Sequence, residues 1–252
     1  MLLDLAKIEE FQKKGVVHLP ALFAPHEVAA LQEHLRDFLE RFSPHLRVPD
    51  INWSGQEVNS LHCLHRYPEH VLGQFWQEPR LVAWAEALLA GPVSVIESEL
   101  FLKPAHRGLA APAHQDDAYW CLQDHRGLSC WVALDSSDET NGGVGYYLES
   151  HRLGILPHTM SHAPGSSQTI TAEGCALLDS YDYVTPRLAA GDVLVHHSLM
   201  VHDSAVNTSA RSRRAITAKY RRTQSEQCRE RRERYLGELS AQLQARAGQT
   251  GK

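Results

Sequence analysis

As far as Pro92, apolar residues recur at helical spacing; beyond it they gather in short runs broken by Gly, Pro, Asn and Asp. Leu5, Ile8 and Phe11 fall on one face of a helix expected over Asp4 to Lys14, with Gly15 where a left-handed cap would stop it. Val16-Val17-His18-Leu19 follows as a buried strand ended by Pro20. Pro25 opens a second helix that carries Val28, Leu31, Leu35, Phe38, Leu39 and Phe42 on one side. Ser43 to Tyr67, which includes His62, His65 and Arg66, is polar and irregular and is expected to be loop and short helix near a pocket mouth. Pro79 begins a third helix with Leu81, Val82, Trp84, Ala85, Leu88 and Leu89 apolar, and Gly91-Pro92 ends it.

After Pro92 the period changes. Val93 to Lys103, Leu128 to Leu134, Gly145 to Leu148, Val193 to His197 and Ala215 to Tyr220 are β-branched or aromatic runs that suit an antiparallel sandwich or barrel. Helices first and strands after point to the α+β class, with the helices buttressing a sheet. Gln224 to Ala247 reads as an amphipathic helix with Tyr235, Leu236, Leu239 and Leu243 apolar, and Arg229 to Arg234 as its solvated charged face.

Composition narrows the class of function more than the fold. At 252 residues, 43% hydrophobic and 22% charged, the chain reads as one soluble globular domain, and a net charge of −5 excludes a general nucleic-acid surface. The opening Met1-Leu2-Leu3-Asp4 has no long apolar run and soon meets Glu9 and Glu10, so no signal peptide or membrane span is expected, and the protein is expected in the cytoplasm. Five cysteines form no C-x-x-C pair and read as reduced thiols.

The candidate chemistry lies in His114-Gln115-Asp116 together with His202. On an extended strand, side chains two apart point the same way, so His114 and Asp116 could grip one ion while Gln115 faces away. A histidine arriving from a distant strand would complete a face of two histidines and one carboxylate, the pattern of non-heme Fe(II) oxygenases. Alone, H-x-D is more often an ordinary surface tripeptide at a strand end. The surroundings sharpen it: Pro112 precedes, Tyr119-Trp120 follows, and a second block runs from Gly191-Asp192 through His202 to Asn207, Ser209, Arg213, Arg214 and Tyr220.

With these motifs on the page, most of the chain resembles the phytanoyl-CoA dioxygenase family of Fe(II)/2-oxoglutarate oxygenases. The resemblance rests on Gly15 to Pro20, Lys103-Pro104, the HQDDAYW stretch, Trp131 to Asp135 followed by Asn141-Gly142, Ser150-His151, Gly191-Asp192 and the block from His202 to the arginines. It implies a double-stranded β-helix, or jelly roll, which with the apolar pattern divides a single domain into a helical buttress over 1–92, a jelly-roll core over 93–222 and a C-terminal helix over 224–247. It also implies iron held by His114, Asp116 and His202, with 2-oxoglutarate and O2 as cosubstrates. Arg213, eleven residues past His202, stands at the family's offset for clamping the far carboxylate of 2-oxoglutarate. Ser204 resembles the family's hydroxyl donor to the same carboxylate, and Trp131 its tryptophan beside the cosubstrate; Arg214 is the second choice for the clamp. The implied reaction is hydroxylation with release of succinate and carbon dioxide, since Asp116 fills the place that related halogenases leave to chloride.

Other residues carry weaker readings. Glu99 would repel 2-oxoglutarate unless it turned toward substrate or paired with a base such as Lys103. With Tyr119 and Trp120 it is a candidate for the substrate side. His196 and His197 read as pocket wall on the strand of His202, Asp117 as facing away, His106-Arg107-Gly108 as a mobile loop, and Leu148-Glu149 as a departure from the family's Pro-Gly before Ser150-His151. Two rivals stay open: a cupin-like hydrolase or isomerase with another divalent ion, and a catalytically silent binding protein. A small-molecule substrate is expected, neither nucleic acid nor membrane.

Overall fold

The computed structural model describes residues 3–42 and 50–250. Three helices lead: α1 (Leu5–Lys14), α2 (Pro25–Phe42) and α3 (Pro79–Leu89). Gly15 ends α1 as the sequence proposes, whereas α3 stops one residue before Gly91, on Ala90 in the left-handed conformation. Asp4 accepts from the Ala6 amide at the start of α1, and Gly15, at φ 79°, returns its amide to Phe11 O at the end. Glu27 accepts from the Ala24 amide and pairs with Arg80 at 2.7 Å, tying the starts of α2 and α3 together. Between α1 and α2 lies strand β1 (Val16–Leu19).

Residues 50–67 depart from the expectation of loop and short helix. They form a hairpin of β2 (Ile51–Ser54) and β3 (Glu57–Leu61), then a 3-10 turn over Leu64–Arg66. The strands are short, a register shift falls between Asn52 and Trp53, and their cavity-side residues are polar, so no clean alternation marks them. The rest of the polar stretch, 43–49, lies outside the described residues.

The remaining elements are β4 (Val93–Phe101), β5 (Ala111–His114), α4 (Asp117–Trp120), β6 (Gly127–Ala133), β7 (Val144–Tyr147), β8 (His158–Met160), β9 (Gln168–Ile170), α5 (Ala172–Ala176), β10 (Tyr183–Val184), β11 (Val193–His197), β12 (His202–Ser204), β13 (Ala215–Arg222) and α6 (Arg229–Thr250). All pairings are antiparallel. A seven-stranded sheet runs β1-β11-β6-β13-β4-β3-β2, and a four-stranded sheet β10-β7-β12-β5 faces it, giving the jelly roll.

The two-residue period of the strands then divides the large sheet's side chains. Leu128, Cys130 and Val132 of β6, Val193 and Val195 of β11, and Ile216, Ala218 and Tyr220 of β13 point outward and join Phe11, Leu35, Phe38, Leu81 and Leu88 of the helices in the main core. Each fully buried aliphatic side chain there contributes about 1.5–3 kcal/mol. The alternate residues point between the sheets. Trp131, Ala133, Leu194 and Ala215 make a second apolar cluster there with Tyr146 and Met200, while Ser129, His196 and Lys219 make a polar floor beside it. Among the described residues no helix is long and apolar enough to cross a membrane.

Candidate metal centre

His114 and His202 are direct partners across β5 and β12, their ring centroids 4.3 Å apart. Each ring is oriented from behind. His114 Nδ1 lies 2.8 Å from Pro112 O and His202 Nδ1 lies 2.9 Å from Met200 O, so each Nδ1–H donates to a backbone carbonyl and each Nε2 presents its lone pair. Burial pushes both pKa values down, which keeps the imidazoles neutral and ready to ligate.

Asp116 reaches the same point, though not from the strand. β5 ends at His114, and Asp116 has helical backbone (φ −58°, ψ −34°) at the start of α4, so local chain reversal rather than strand alternation brings it alongside. Its Oδ2 accepts from Ser129 Oγ and from His196 Nε2 at 3.3 Å, while Oδ1 lies 4.0 Å from His114 Nε2. Burial alone would raise its pKa; the Lys219 ammonium, Nζ 3.9 Å away, and the histidines outweigh that and hold the carboxyl well below its ordinary value. One ligand atom from each of His114, Asp116 and His202 lies within 4.8 Å of the others. Two neutral imidazoles and one carboxylate converging with their donor atoms free fit a divalent first-row metal.

Gln115, expected to face away, turns into the structure and ties three segments: it donates to Gly154 O and Leu199 O and accepts from Leu156 N. Asp117 has no place at the centre; it accepts from Leu122 N and pairs with His125 and Arg231. His196 and His197 are not on the strand of His202. β11 ends at His197 in the large sheet, and residues 198–201 cross to the small one. His196 thus faces His202 across the sandwich, ring centroids 4.4 Å apart, with its Nδ1 3.1 Å from Tyr146 Oη.

Arg213 is 2% exposed, and its Nε and Nη2 both donate to Gly142 O, at 3.1 and 2.7 Å. Its Nη1 is buried without a partner among the described residues, and its guanidinium carbon lies 5.2 Å from the Trp131 ring centroid. Arg214 is spent on Asp135 at 2.7 Å, which removes it as an alternative clamp. Ser204 is buried on β12 two residues past His202. Lys103 donates to Ala205 O, and its pKa is pushed down to about 6 by burial and the neighbouring Arg213 charge.

Glu99 does turn inward, but its base is not Lys103. It pairs with Lys219 at 2.5 Å and with His62 Nδ1, and although burial works against it, those two partners hold its pKa down to about 2. Tyr119 stands edge-on to His114 at 5.8 Å, its hydroxyl bonded to Ser166 and Gln168. Trp120 is 3% exposed and lies against Gly127 and under the Lys219 ammonium, 5.8 Å from its ring centroid; it supports the wall and offers almost no surface to a ligand.

His106-Arg107-Gly108, expected as a mobile loop, is a tied turn. His106 N donates to Ser209 O, Gly108 N to Pro104 O, and Arg107 O accepts from Ser54. Glu149 stands at φ 68°, taking the left-handed conformation at the place where the family has glycine. Arg231 and Arg232, read as solvated, instead dock α6 by donating to Leu122 O and Tyr119 O.

A jelly roll that brings two histidines and a carboxylate together between its sheets, beside a buried unpaired guanidinium, defines the non-heme iron, 2-oxoglutarate-dependent oxygenase class. The sequence profile of phytanoyl-CoA dioxygenase (PhyH) matches residues 11–215, and the chain belongs to that family. It is 29% identical over 238 residues to the L-proline trans-4-hydroxylase of Streptomyces griseoviridis, covering 88% of this chain and 87% of that one. With the ectoine dioxygenase of Bordetella bronchiseptica it shares 30% identity over 155 residues, 60% of this chain and 50% of that protein. Among solved structures, EctD from S. alaskensis with 2-oxoglutarate and 5-hydroxyectoine superposes with a TM-score of 0.73 at 23% identity, over 87% of this chain and 76% of that one. The epimerase SnoN in complex with Fe3+, alpha ketoglutarate and nogalamycin RO gives 0.71 at 22%, over 88% and 84%. Both likenesses extend the agreement in fold.

Proposed function

We propose that this chain holds Fe(II) through His114, Asp116 and His202, holds 2-oxoglutarate through Arg213 and Ser204 beside Trp131, and hydroxylates a small metabolite. The observation that carries the reading is the pairing of a free-atom triad with the orphaned Nη1 of Arg213. A hydrolase needs no carboxylate clamp buried in its core, and a silent binding protein has no use for three ligand atoms oriented from behind.

When bound, iron and 2-oxoglutarate supply the oxidising chemistry, in which O2 is reduced, succinate and carbon dioxide leave, and one oxygen enters a substrate C–H bond. The protein's share is placement. Pro112 O and Met200 O fix the imidazole planes; Ser129 and His196 occupy Oδ2 of Asp116 and leave Oδ1 for the metal. The 2%-exposed Arg213, propped by Gly142 O and the Trp131 face, keeps the N–H groups of Nη1 unsatisfied among the described residues, which a carboxylate would relieve. Relatives named for proline and ectoine support a small substrate.

Protein loaded with Fe(II) under air should convert 2-oxoglutarate to succinate, and Asp116→Ala should reduce this by at least about 100-fold. Succinate formation that is absent in the wild type, or equal in the two, would remove the assignment.

A further inference from the structure

We infer that Glu97 is the specificity-determining residue of this site and receives a cationic group, an ammonium or its equivalent, on the substrate. The inference rests on the oxygenase reading of the metal centre and names the class of molecule that centre acts on.

Three carboxylates share the inner wall at the metal triad: Asp116 of the triad itself, Glu99 and Glu97. Their partners are unequal. Asp116 has Ser129, His196 and the metal position. Glu99 has His62 and the 2.5 Å ion pair with Lys219. Among the described residues Glu97 has only a 3.3 Å contact from that same ammonium, which also lies 3.9 Å from Asp116 Oδ1. One lysine therefore serves three carboxylates, and it is committed to Glu99.

Exposure follows the same order. The side chains of Glu99 and Asp116 are 4% and 5% exposed, that of Glu97 is 23% and that of its neighbour His62 is 21%. Glu97 is thus the carboxylate of this wall that an incoming molecule can touch. A carboxylate held in a recess with half a partner is costly, and a substrate cation would supply the missing charge.

The walls around it suit a small cation. Tyr119 lies edge-on to His114 and to Tyr235 of α6, 5.8 Å in each case, so two aromatic rings stand on the approach to the triad. Burial raises the Tyr235 pKa, and the charge of Glu97 adds to it. Asn52 bonds His62 Nε2 from the hairpin, and Gly165 approaches Asn52 closely enough that a Cβ there would sit 3.2 Å from its Nδ2. Asn52 and Gly165 therefore pack tightly behind His62. Because Glu97 and Asp116 share one ammonium, a cation seated on Glu97 leaves a neighbouring carbon within one small-molecule length of the metal.

The test is substrate-stimulated succinate release by Fe(II)-loaded full-length protein. The panel comprises free amino acids including L-proline, simple diamines and ectoine; the N-acetyl derivatives of the amino acids; and anionic molecules such as alkylphosphonates and acyl-CoAs. Binding of the preferred compound is measured in parallel by calorimetry on the Ni(II)- and 2-oxoglutarate-loaded protein, which reads affinity without turnover. Stimulation should be confined to compounds with a cationic nitrogen and lost on N-acetylation. Glu97→Gln should weaken both kcat/KM and the calorimetric affinity on the order of 30-fold or more, and Glu97→Asp should retain part of each. Preference for an anionic or neutral compound, a panel with no cationic activator, or equal affinity in wild type and Glu97→Gln would overturn the inference. Wild-type protein that makes succinate under none of these conditions would instead refute the oxygenase reading beneath it.

Discussion

At the scale of single residues, the site is built by atoms that do not touch the metal position. His196 shows how. It holds Asp116 Oδ2 with Nε2 and is itself held by Tyr146 through Nδ1. Loss of such a support usually costs about 10–100-fold in metal affinity, whereas loss of a ligand removes binding outright. In Fe(II) titrations His202→Ala should therefore bind no metal, and His196→Gln should bind about 10–100-fold more weakly; equal loss in both would make His196 a ligand. Arg213→Ala should raise the 2-oxoglutarate needed for half-maximal turnover by roughly 30-fold or more while iron binding persists, because truncating one partner of a buried charge pair costs about 2–5 kcal/mol. Unchanged cosubstrate dependence would place the clamp elsewhere.

The triad and Arg213 stand out in the sequence because each sits in a motif. Lys219 does not, yet a signal was present: positions 215, 217 and 219 share one face of β13, so a lysine in phase with Ala215 inside an apolar run had to point between the sheets. Ser129, in phase with Trp131 on β6, was legible the same way. His62 was legible only as a residue near the pocket mouth and not as the partner of Glu99, because the hairpin before it carries too few residues to show a period.

At the scale of elements, the helices and long strands follow the apolar pattern closely, since caps and periods are local. α2 begins at Pro25, α3 at Pro79, and β1 and β11 have the expected bounds. What a local pattern could not show was the crossing between sheets. Residues 198–201 carry the chain from β11 to β12, so the two histidines at 196 and 202 face each other rather than share a strand. His197, at the end of β11, packs on the other side against Phe11 of α1 and His151. Burial, with His151 and other histidines nearby, pushes its pKa from 6.5 to about 3.

The folded state thus keeps His197 neutral while the unfolded chain protonates it. Stability from this group is whole above pH 6.5 and is lost as pH falls from there toward about 3. The slope is at most about 1.4 kcal/mol per pH unit, and less in practice because the ring keeps some contact with water. Thermal unfolding should show a fall in Tm between pH 7 and 5 that is smaller in His197→Phe than in the wild type; parallel falls would mean that other groups carry the acid sensitivity.

At the scale of the whole molecule, helices cover one face of the large sheet, and the other face, closed by the small sheet, is split between an apolar end and a charged end. Trp131 and Arg213 stand at the first, Lys219 with Glu97 and Glu99 at the second, and Asp116 of the triad is within 3.9 Å of that lysine. Two ligands of unlike chemistry can therefore meet at one metal from opposite sides, a dicarboxylate toward Arg213 and a substrate toward Glu97. The measurement that tests this arrangement most directly is an anaerobic titration of Fe(II) with 2-oxoglutarate, followed by the visible charge-transfer absorption of the chelated metal. One equivalent of iron per chain should develop the band in the wild type and none should develop it in His202→Ala; a wild-type protein that develops no band, or a variant that develops the same one, would contradict the account.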